Sequence, residues 1–297
     1  MEAGRFINYR KAMLKEIKKS VAKDLLPKRI TDSHKGDNGR VLIVGGSIDY
    51  FGAPVLSALG ALYSGADLVY LYVPECNFEC TRSLYPDFIV KKYPGEFLTA
   101  RFAENIIEFG KNCDSVLIGP GLGDREQTID AVLEILSGLK IPTVLDAEAM
   151  MALKKIDKFP LQQTVVITPH QNEFQNLVDR EVVVDEADPK SVVLLRSIAM
   201  DLHINVLLKG HTDYVASEEG VVETNHTGNA GMTVGGSGDV LAGAVATFLA
   251  QRLEGFDAAR CAAYYVGAAG DLLKKQKGYL FSASDIAMTL PYAIPSV

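Results

Sequence analysis

The chain has 297 residues, 48% of them hydrophobic and 23% charged, enough to bury one sizeable α/β domain. Its net charge of −7 argues against a nucleic-acid-binding surface, and no apolar run reaches the length of a membrane span. The cysteines Cys76, Cys80, Cys113 and Cys261 form no CxxC pair. With no histidine near Cys76 and Cys80, buried or reduced thiols are expected rather than a zinc site. The N-terminus lacks an apolar signal core, which points to the cytoplasm.

Residues 1–30 are rich in Lys and Arg. Met13, Leu14, Ile17, Val21 and Leu25 recur at helical spacing, which predicts an amphipathic helix lying on the domain or on a neighbouring subunit. Its lysines Lys11, Lys15, Lys18 and Lys19 read as a solvated face. The polar turn 35–40 then feeds the apolar run 41–44, a buried parallel strand that ends on Gly45-Gly46. Residues 53–63 read as a helix with Pro54 in its first turn. These glycines lack GxGxxG spacing, so a dinucleotide fingerprint is not supported.

The alternation continues with strands at 68–73 and 88–90, a helix at 99–109 and a strand at 115–118 that ends in Gly119-Pro120-Gly121-Leu122-Gly123. A helix at 127–139 precedes a strand at 143–145 that ends on Asp146. The strand 165–167 runs into Thr168-Pro169-His170-Gln171-Asn172-Glu173. A helix at 191–202 leads to the strand 205–208, which ends in Lys209-Gly210-His211-Thr212-Asp213. Residues 214–216 and 221–224 read as a hairpin. Next come 229–243, with five glycines and one carboxylate, opening an apolar helix from Asp239. Helices at 258–274 and near Ser284 close the chain.

Alternation of this kind predicts one doubly wound α/β domain, in which ligands bind beyond the carboxyl ends of the strands. Gly45-Gly46, Gly119 to Gly123, Asp146, His170, Lys209 and the late glycine stretch all follow strands, so they should gather along one sheet edge. In that stretch Gly235, Gly236 and Gly238 permit close backbone approach and positive φ, and the free amides of a helix start make an anion site. Asp239 alone there reads as a cap or dipole partner; beside bound phosphates it reads as a base. Lys209 reads as a snorkelling lysine or a phosphate contact. His170 reads as a surface or ligand-contacting residue, and Glu173 as a capping-box acid or a ligand. Asp146 reads equally as an N-cap or a ligand contact. His211, Thr212 and Asp213 could be plain turn residues. His34 and His203 read as structural or surface residues.

Gly236-Ser237-Gly238-Asp239 resembles the GxGD signature of ribokinase-like enzymes. A longer, ordered set of motifs resembles the NAD(P)H-hydrate dehydratase family within that superfamily: Gly39-Arg40-Val41, Gly45-Gly46-Ser47, Tyr50-Phe51-Gly52-Ala53-Pro54, Gly119 to Gly123, Leu145-Asp146-Ala147, Thr168-Pro169-His170 with Glu173, Leu208-Lys209-Gly210 and Gly228-Asn229-Ala230-Gly231-Met232. The resemblance runs from about Lys35 to the end. It implies a three-layer α/β/α ribokinase-like fold, with 1–34 as an N-terminal amphipathic extension and 35–297 as a single catalytic domain.

It also implies repair of hydrated NADH or NADPH, driven by ADP or ATP with Mg²⁺. Asp239 would be the base, with Gly236, Ser237 and Gly238 as anion hole. Ala53, Gly123, His170 and Asp239 would bind substrate. Lys209, Gly210, His211, Thr212, Asp213, Asn229 and Gly238 would bind nucleotide, and Glu173 would be associated with the metal. Ser237 replaces a usual threonine, Gln171-Asn172 a common Pro-Gly, and Glu148 a frequent aspartate. Many relatives carry an N-terminal epimerase domain, which the stretch before the match is too short to hold; a separate epimerase is expected as functional partner. Homotetramers or larger assemblies are implied. Two alternatives use the same residues: a ribokinase-like kinase of a small alcohol or vitamin precursor, and a nucleotide-binding sensor. Tyr50 to Pro54 and Thr168 to His170 favour the dehydratase over the kinase, and an intact Asp239 argues against the sensor.

Overall fold

The computed structural model describes residues 14–156 and 159–295. Its strands are β1 (Lys15–Glu16), β2 (Arg40–Val44), β3 (Leu68–Pro74), β4 (Phe88–Tyr93), β5 (Ser115–Ile118), β6 (Thr143–Leu145), β7 (Val165–Ile167), β8 (Asn205–Leu208), β9 (Asp213–Ala216) and β10 (Val222–Asn225). They form one sheet in the order β1-β10-β9-β8-β7-β6-β5-β2-β3-β4. The strands from β2 to β8 are parallel, and β9 runs antiparallel to both of its neighbours. The chain winds outward through β2, β3 and β4, then returns to place β5 on the other side of β2. The switch point, where a ligand crevice opens in such sheets, therefore lies between the ends of β2 and β5.

Successive strand residues face opposite sides. Val41 and Ile43 join one core, Leu42 and Val44 the other, which is why the central strands are apolar throughout. Helices α1 (Lys19–Leu25), α2 (Gly52–Tyr63), α8 (Ser237–Ala250), α9 (Gly255–Lys277) and α10 (Ala283–Ala293) supply the first core. Helices α4 (Ala103–Gly110), α5 (Glu126–Gly138), α6 (Gln171–Val178) and α7 (Pro189–Asp201) supply the second. The result is the three-layer, doubly wound, mostly parallel arrangement that the alternation predicts.

Two local readings need correction. The N-terminal helix is confined to α1: Leu14 and Ile17 lie before it, in an extended segment, and Met13 and Lys11 lie outside the described residues. β1 adds in parallel to the open edge of β10, and the Ile17 N–H donates to the Thr224 carbonyl at 2.8 Å. An edge with unpaired backbone groups satisfies this segment better than another helical turn would. Lys15, Lys18 and Lys19 are exposed, as expected of a solvated face.

The second correction is α3 (Glu75–Leu84), which joins β3 to β4 where no helix is predicted. Its buried residues are Asn77 and Thr81, so it carries no apolar stripe for a periodicity search to find. Cys113 and Cys261 are buried and Cys76 and Cys80 exposed, all as free thiols.

Helices α2 and α8 cross in close contact, and this positions the site. A side chain at Gly60 would collide with the Val240 carbonyl, and one at Gly243 with the Ser57 carbonyl. The starts of the two helices therefore sit side by side: a Cβ on Gly236, just before α8, would strike Leu56 in the second turn of α2.

Candidate active site

The glycine stretch forms a short 3-10 turn (Ala230–Thr233) and then starts α8. Gly236 precedes the helix with φ +93°, a conformation that side-chain-bearing residues rarely adopt. No side chain caps α8, and the Ser237 N–H makes only a long bond of 3.4 Å to the Val234 carbonyl, so the helix start can turn its amides to an anion. Asp239 lies in the first turn and is not the cap. Of the other two glycines, Gly238 is small for a different reason: a Cβ there would stand 3.1 Å from Lys209 Nζ. Gly235 has an ordinary φ and open space around it, and nothing in the structure requires a glycine there.

Lys209 follows β8 and reaches across the strand ends. Its Nζ donates to Asp146 Oδ1 at 3.1 Å and lies 3.9 Å from Glu173 Oε2. Asp146, 3% exposed, makes no capping bond to the 3-10 helix that follows it, Ala147–Lys155; the same Oδ1 accepts a second bond from Thr168 Oγ1 at 2.7 Å. The even choice left by the sequence is thus resolved against capping. Glu173 does cap: its Oε2 accepts from the His170 N–H at 2.7 Å, while His170 Nδ1 accepts from the amides of Asn172 and Glu173. That pattern leaves the proton of neutral His170 on Nε2.

One lysine thus stands among three carboxylates. Burial, then the charges of Asp146 and Glu173, push Asp239 up to about 8 from an ordinary value of 3.8, with Lys209 opposing them. Burial also raises Glu173. For Lys209, burial works against the charge, but Asp146, Glu173 and Asp239 outweigh it and the ammonium is held.

A cavity of about 600 Å³ extends from Lys209, Ser237 and Gly238 past Gly210, His211, Asp213 and Asn229. Several of these residues brace the wall. Asp213 accepts from the Gly210 N–H and from Asn225 Nδ2, both at 3.0 Å, and burial pushes it up to about 6. Asn229 accepts from the Gly231 N–H and donates to Asp271, which also accepts from the Gly228 N–H. Thr212 does not line the cavity; its hydroxyl lies 3.4 Å from His226 Nδ1. His226 does line it, although the sequence offers no reason to single it out.

Ala53, Gly123 and His170 lie outside this cavity lining. Ala53 lies in the first turn of α2, and a Cβ on Gly121 would come within 3.2 Å of its methyl group. Gly46 donates to the Pro120 carbonyl at 2.8 Å, so the loops after β2 and β5 meet at the switch point. Buried Asn77 of α3 holds the first of them, donating to the carbonyls of Ser47 and Tyr50 at 2.9 and 3.2 Å. Sequence reasoning misses Asn77 because it misses the helix that carries it.

Among the described residues, no group of three or more His, Cys, Asp or Glu side chains is arranged to hold a metal ion by itself. Mg²⁺ commonly keeps phosphate oxygens and waters as most of its ligands, with one or two protein carboxylates. Glu173 suits a single carboxylate contact, because its Oε1 faces only His170 Nε2, at 3.5 Å.

A switch-point crevice, an uncapped helix start and one carboxylate in its first turn define a ribokinase-like architecture. In line with this, the fold superposes with TM-score 0.81 on a ribokinase-like superfamily protein from Enterococcus faecalis, 26% identical, covering 94% of this chain and 95% of that one. The chain belongs to the NAD(P)H-hydrate dehydratase family, whose model matches residues 41–292. It is 37% identical over 268 residues to the ADP-dependent (S)-NAD(P)H-hydrate dehydratase of Cenarchaeum symbiosum, covering 90% of this chain and 92% of that protein. The crystal structure of the ADP/ATP-dependent NAD(P)H-hydrate dehydratase of Bacillus subtilis, co-crystallised with ATP and Mg²⁺, matches with TM-score 0.82 at 26% identity, covering 95% and 98% of the two chains. The chain spans about half the length of the first curated relatives it matches, archaeal bifunctional NAD(P)H-hydrate repair enzymes.

Proposed function

We propose that the protein dehydrates hydrated NADH or NADPH at the expense of ADP, releasing AMP and phosphate. The observation that carries this is Asp239, alone in the first turn of an uncapped helix and raised to about 8, with the Lys209 ammonium against the neighbouring Gly238. A carboxylate of that basicity suits proton removal from a hydroxyl near neutral pH. Asp239 takes the proton of the ring hydroxyl, and the oxygen attacks the terminal phosphoryl group. The bond to AMP breaks, a phosphate ester forms, and the ester leaves as phosphate as the ring loses a proton and regains its double bond. The amides of Gly236, Ser237 and Gly238 and the Lys209 ammonium stabilise charge on the phosphoryl oxygens. Mg²⁺, carried by the nucleotide and touched by Glu173, would neutralise phosphate charge. Lys209, Gly210, His211 and Asp213 with Asn229 bind the nucleotide, with Thr212 acting behind them through His226; Ala53, Gly123 and His170 meet the hydrated ring.

ADP is preferred as donor because the full-length relative of similar size is described as ADP-dependent. Residues 35–297 act as the catalytic domain and 1–34 as its extension, in a cytoplasmic homo-oligomer of four or more chains; light scattering tests the assembly. Among the described residues no helix is long and apolar enough to cross a membrane. A companion epimerase would supply the epimer used; the bifunctional character of the longer relatives supports a second activity on the same metabolite.

The test is incubation with hydrated NADH and either ADP or ATP, following the absorbance of the reduced ring. Recovery with ADP, and less with ATP, is expected. No recovery with either nucleotide rejects the reading. Phosphorylation of a simple alcohol instead would establish the kinase alternative.

A further inference from the structure

We propose that Thr168 and Asp146 are positioning residues that hold the Lys209 ammonium at the phosphoryl site and away from Asp239. The three residues follow β7, β6 and β8, which are neighbours in the sheet. Each is tied there by its own amide: Asp146 to the Ile118 carbonyl at 3.0 Å, Thr168 to the Leu145 carbonyl at 3.2 Å, and Lys209 to the Pro169 carbonyl at 2.8 Å. Thr168 has no exposed surface, and its hydroxyl and the lysine converge on one oxygen of Asp146. The Asp146 backbone is pressed from below as well, since any side chain at Gly119 would collide with its carbonyl.

A lysine stem has four rotatable carbons, and its ammonium pairs with whichever acid stands nearest. Asp146, Glu173 and Asp239 act on it in that order, and its field also reaches Asp213, whose oxygens are taken by the Gly210 N–H and Asn225 Nδ2. Glu173 is occupied by capping α6 and stands at 3.9 Å. Asp146 is the one that binds at hydrogen-bond distance, and Thr168 fixes the direction in which its oxygen points. Without that anchor the ammonium would swing toward Asp239, cover the base and leave the anion turn. The pair acts through Lys209 and touches neither reactant.

This inference rests on the phosphoryl-transfer reading above, and the experiment separates the two. Rates against ADP concentration are measured for the full chain and for Thr168→Val, Thr168→Ser, Asp146→Asn, Lys209→Ala and the Asp146→Asn/Lys209→Ala double variant. ADP affinity is measured by calorimetry on the same set, and folding is checked by circular dichroism. Asp146→Asn should lose about 10²-fold in kcat/KM for ADP, the loss expected from misplacing a reacting group by about 1 Å. Thr168→Val should lose part of that, and Thr168→Ser should recover it.

In the Lys209→Ala background, Asp146→Asn should cost less than about 2-fold, because residues acting as one unit are not additive. Independent effects in the double variant, or unchanged ADP kinetics in both Thr168→Val and Asp146→Asn, overturn the proposal. So does a raised Mg²⁺ requirement in Asp146→Asn with no coupling to Lys209, which would assign the carboxylate to the metal. If the wild-type chain binds ADP but does not repair hydrated NADH, the proposed function fails; coupling between Asp146 and Lys209 in ADP affinity then still decides this inference.

Discussion

The charge clusters around Lys209 and Arg260 are built differently. Around Lys209, one cation meets Asp146, Glu173 and Asp239 at the rim of a cavity. Around Arg260, the guanidinium pairs with Glu223 at 3.0 Å and with Asp257, and Lys15 adds a second cation on Glu223 at 3.4 Å. The second cluster is balanced, two bases against two acids, and it fastens β1 and α9 to β10. The first has an excess of negative charge, which adds to burial in raising Asp239. A balanced cluster asks for no ligand. Perturbed carboxylates beside a cavity are the kind that mark functional sites.

The comparison can be broken most sharply at Asp239. Asp239→Asn should lower turnover by roughly 10²–10⁴-fold, the usual worth of a general base, while calorimetry still finds ADP bound. The same variant should be more stable than the wild type, because a buried carboxylate raised from 3.8 to about 8 costs stability once it ionises. The cost is absent below 3.8, where folded and unfolded chains both hold the proton, and complete above about 8, where neither does. The gain in Tm should therefore grow as pH rises between those limits; a flat difference would refute the assignment.

Arg260→Met should do the reverse, costing about 3–5 kcal/mol in denaturant unfolding by leaving Asp257 without its guanidinium partner and buried Glu223 with the exposed Lys15 ammonium alone, with kcat/KM within about 2-fold of the wild type. A large activity loss at unchanged stability would erase the distinction between the clusters. For the wild type, kcat/KM should climb tenfold per pH unit on its acid limb and level off near 8, because the base must be unprotonated. The smallest effect is expected for Lys15→Ala, below about 0.5 kcal/mol, since the Lys15 side chain is 70% exposed and screened by water.

Much of this was legible in the residues. Apolar runs of strand length between helical patterns specify parallel strands, and the runs at 41–44, 115–118, 143–145, 165–167 and 205–208 lead into glycine, aspartate, histidine or lysine, so convergence on one edge follows from topology. The turn before Asp239 is also local information. The partner of Lys209 is not: Asp146 and Lys209 are 63 positions apart and meet because β7 separates β6 from β8 in the sheet. Asn77 was hidden because α3 buries amide and hydroxyl groups, which leave no apolar rhythm. The first strand was hidden for another reason. A two-residue strand owes its shape to the edge it joins, and Leu14, Ile17 and Val21 happen to fit a helical period as well. The cap made by Glu173 could be named from its spacing to His170, but its approach to Lys209, from another strand end, could not.

The contact between α2 and α8 has a consequence for how such a site withstands mutation. Where Gly60 meets the Val240 carbonyl and Gly243 meets the Ser57 carbonyl, main chain rests on main chain. The gap between the two helix starts is then set by atoms that every amino acid shares, not by side chains that vary in volume. Drift elsewhere in the core can change packing without changing that spacing. Gly60 and Gly243 act as a built-in spacer of fixed gauge between the two helix starts.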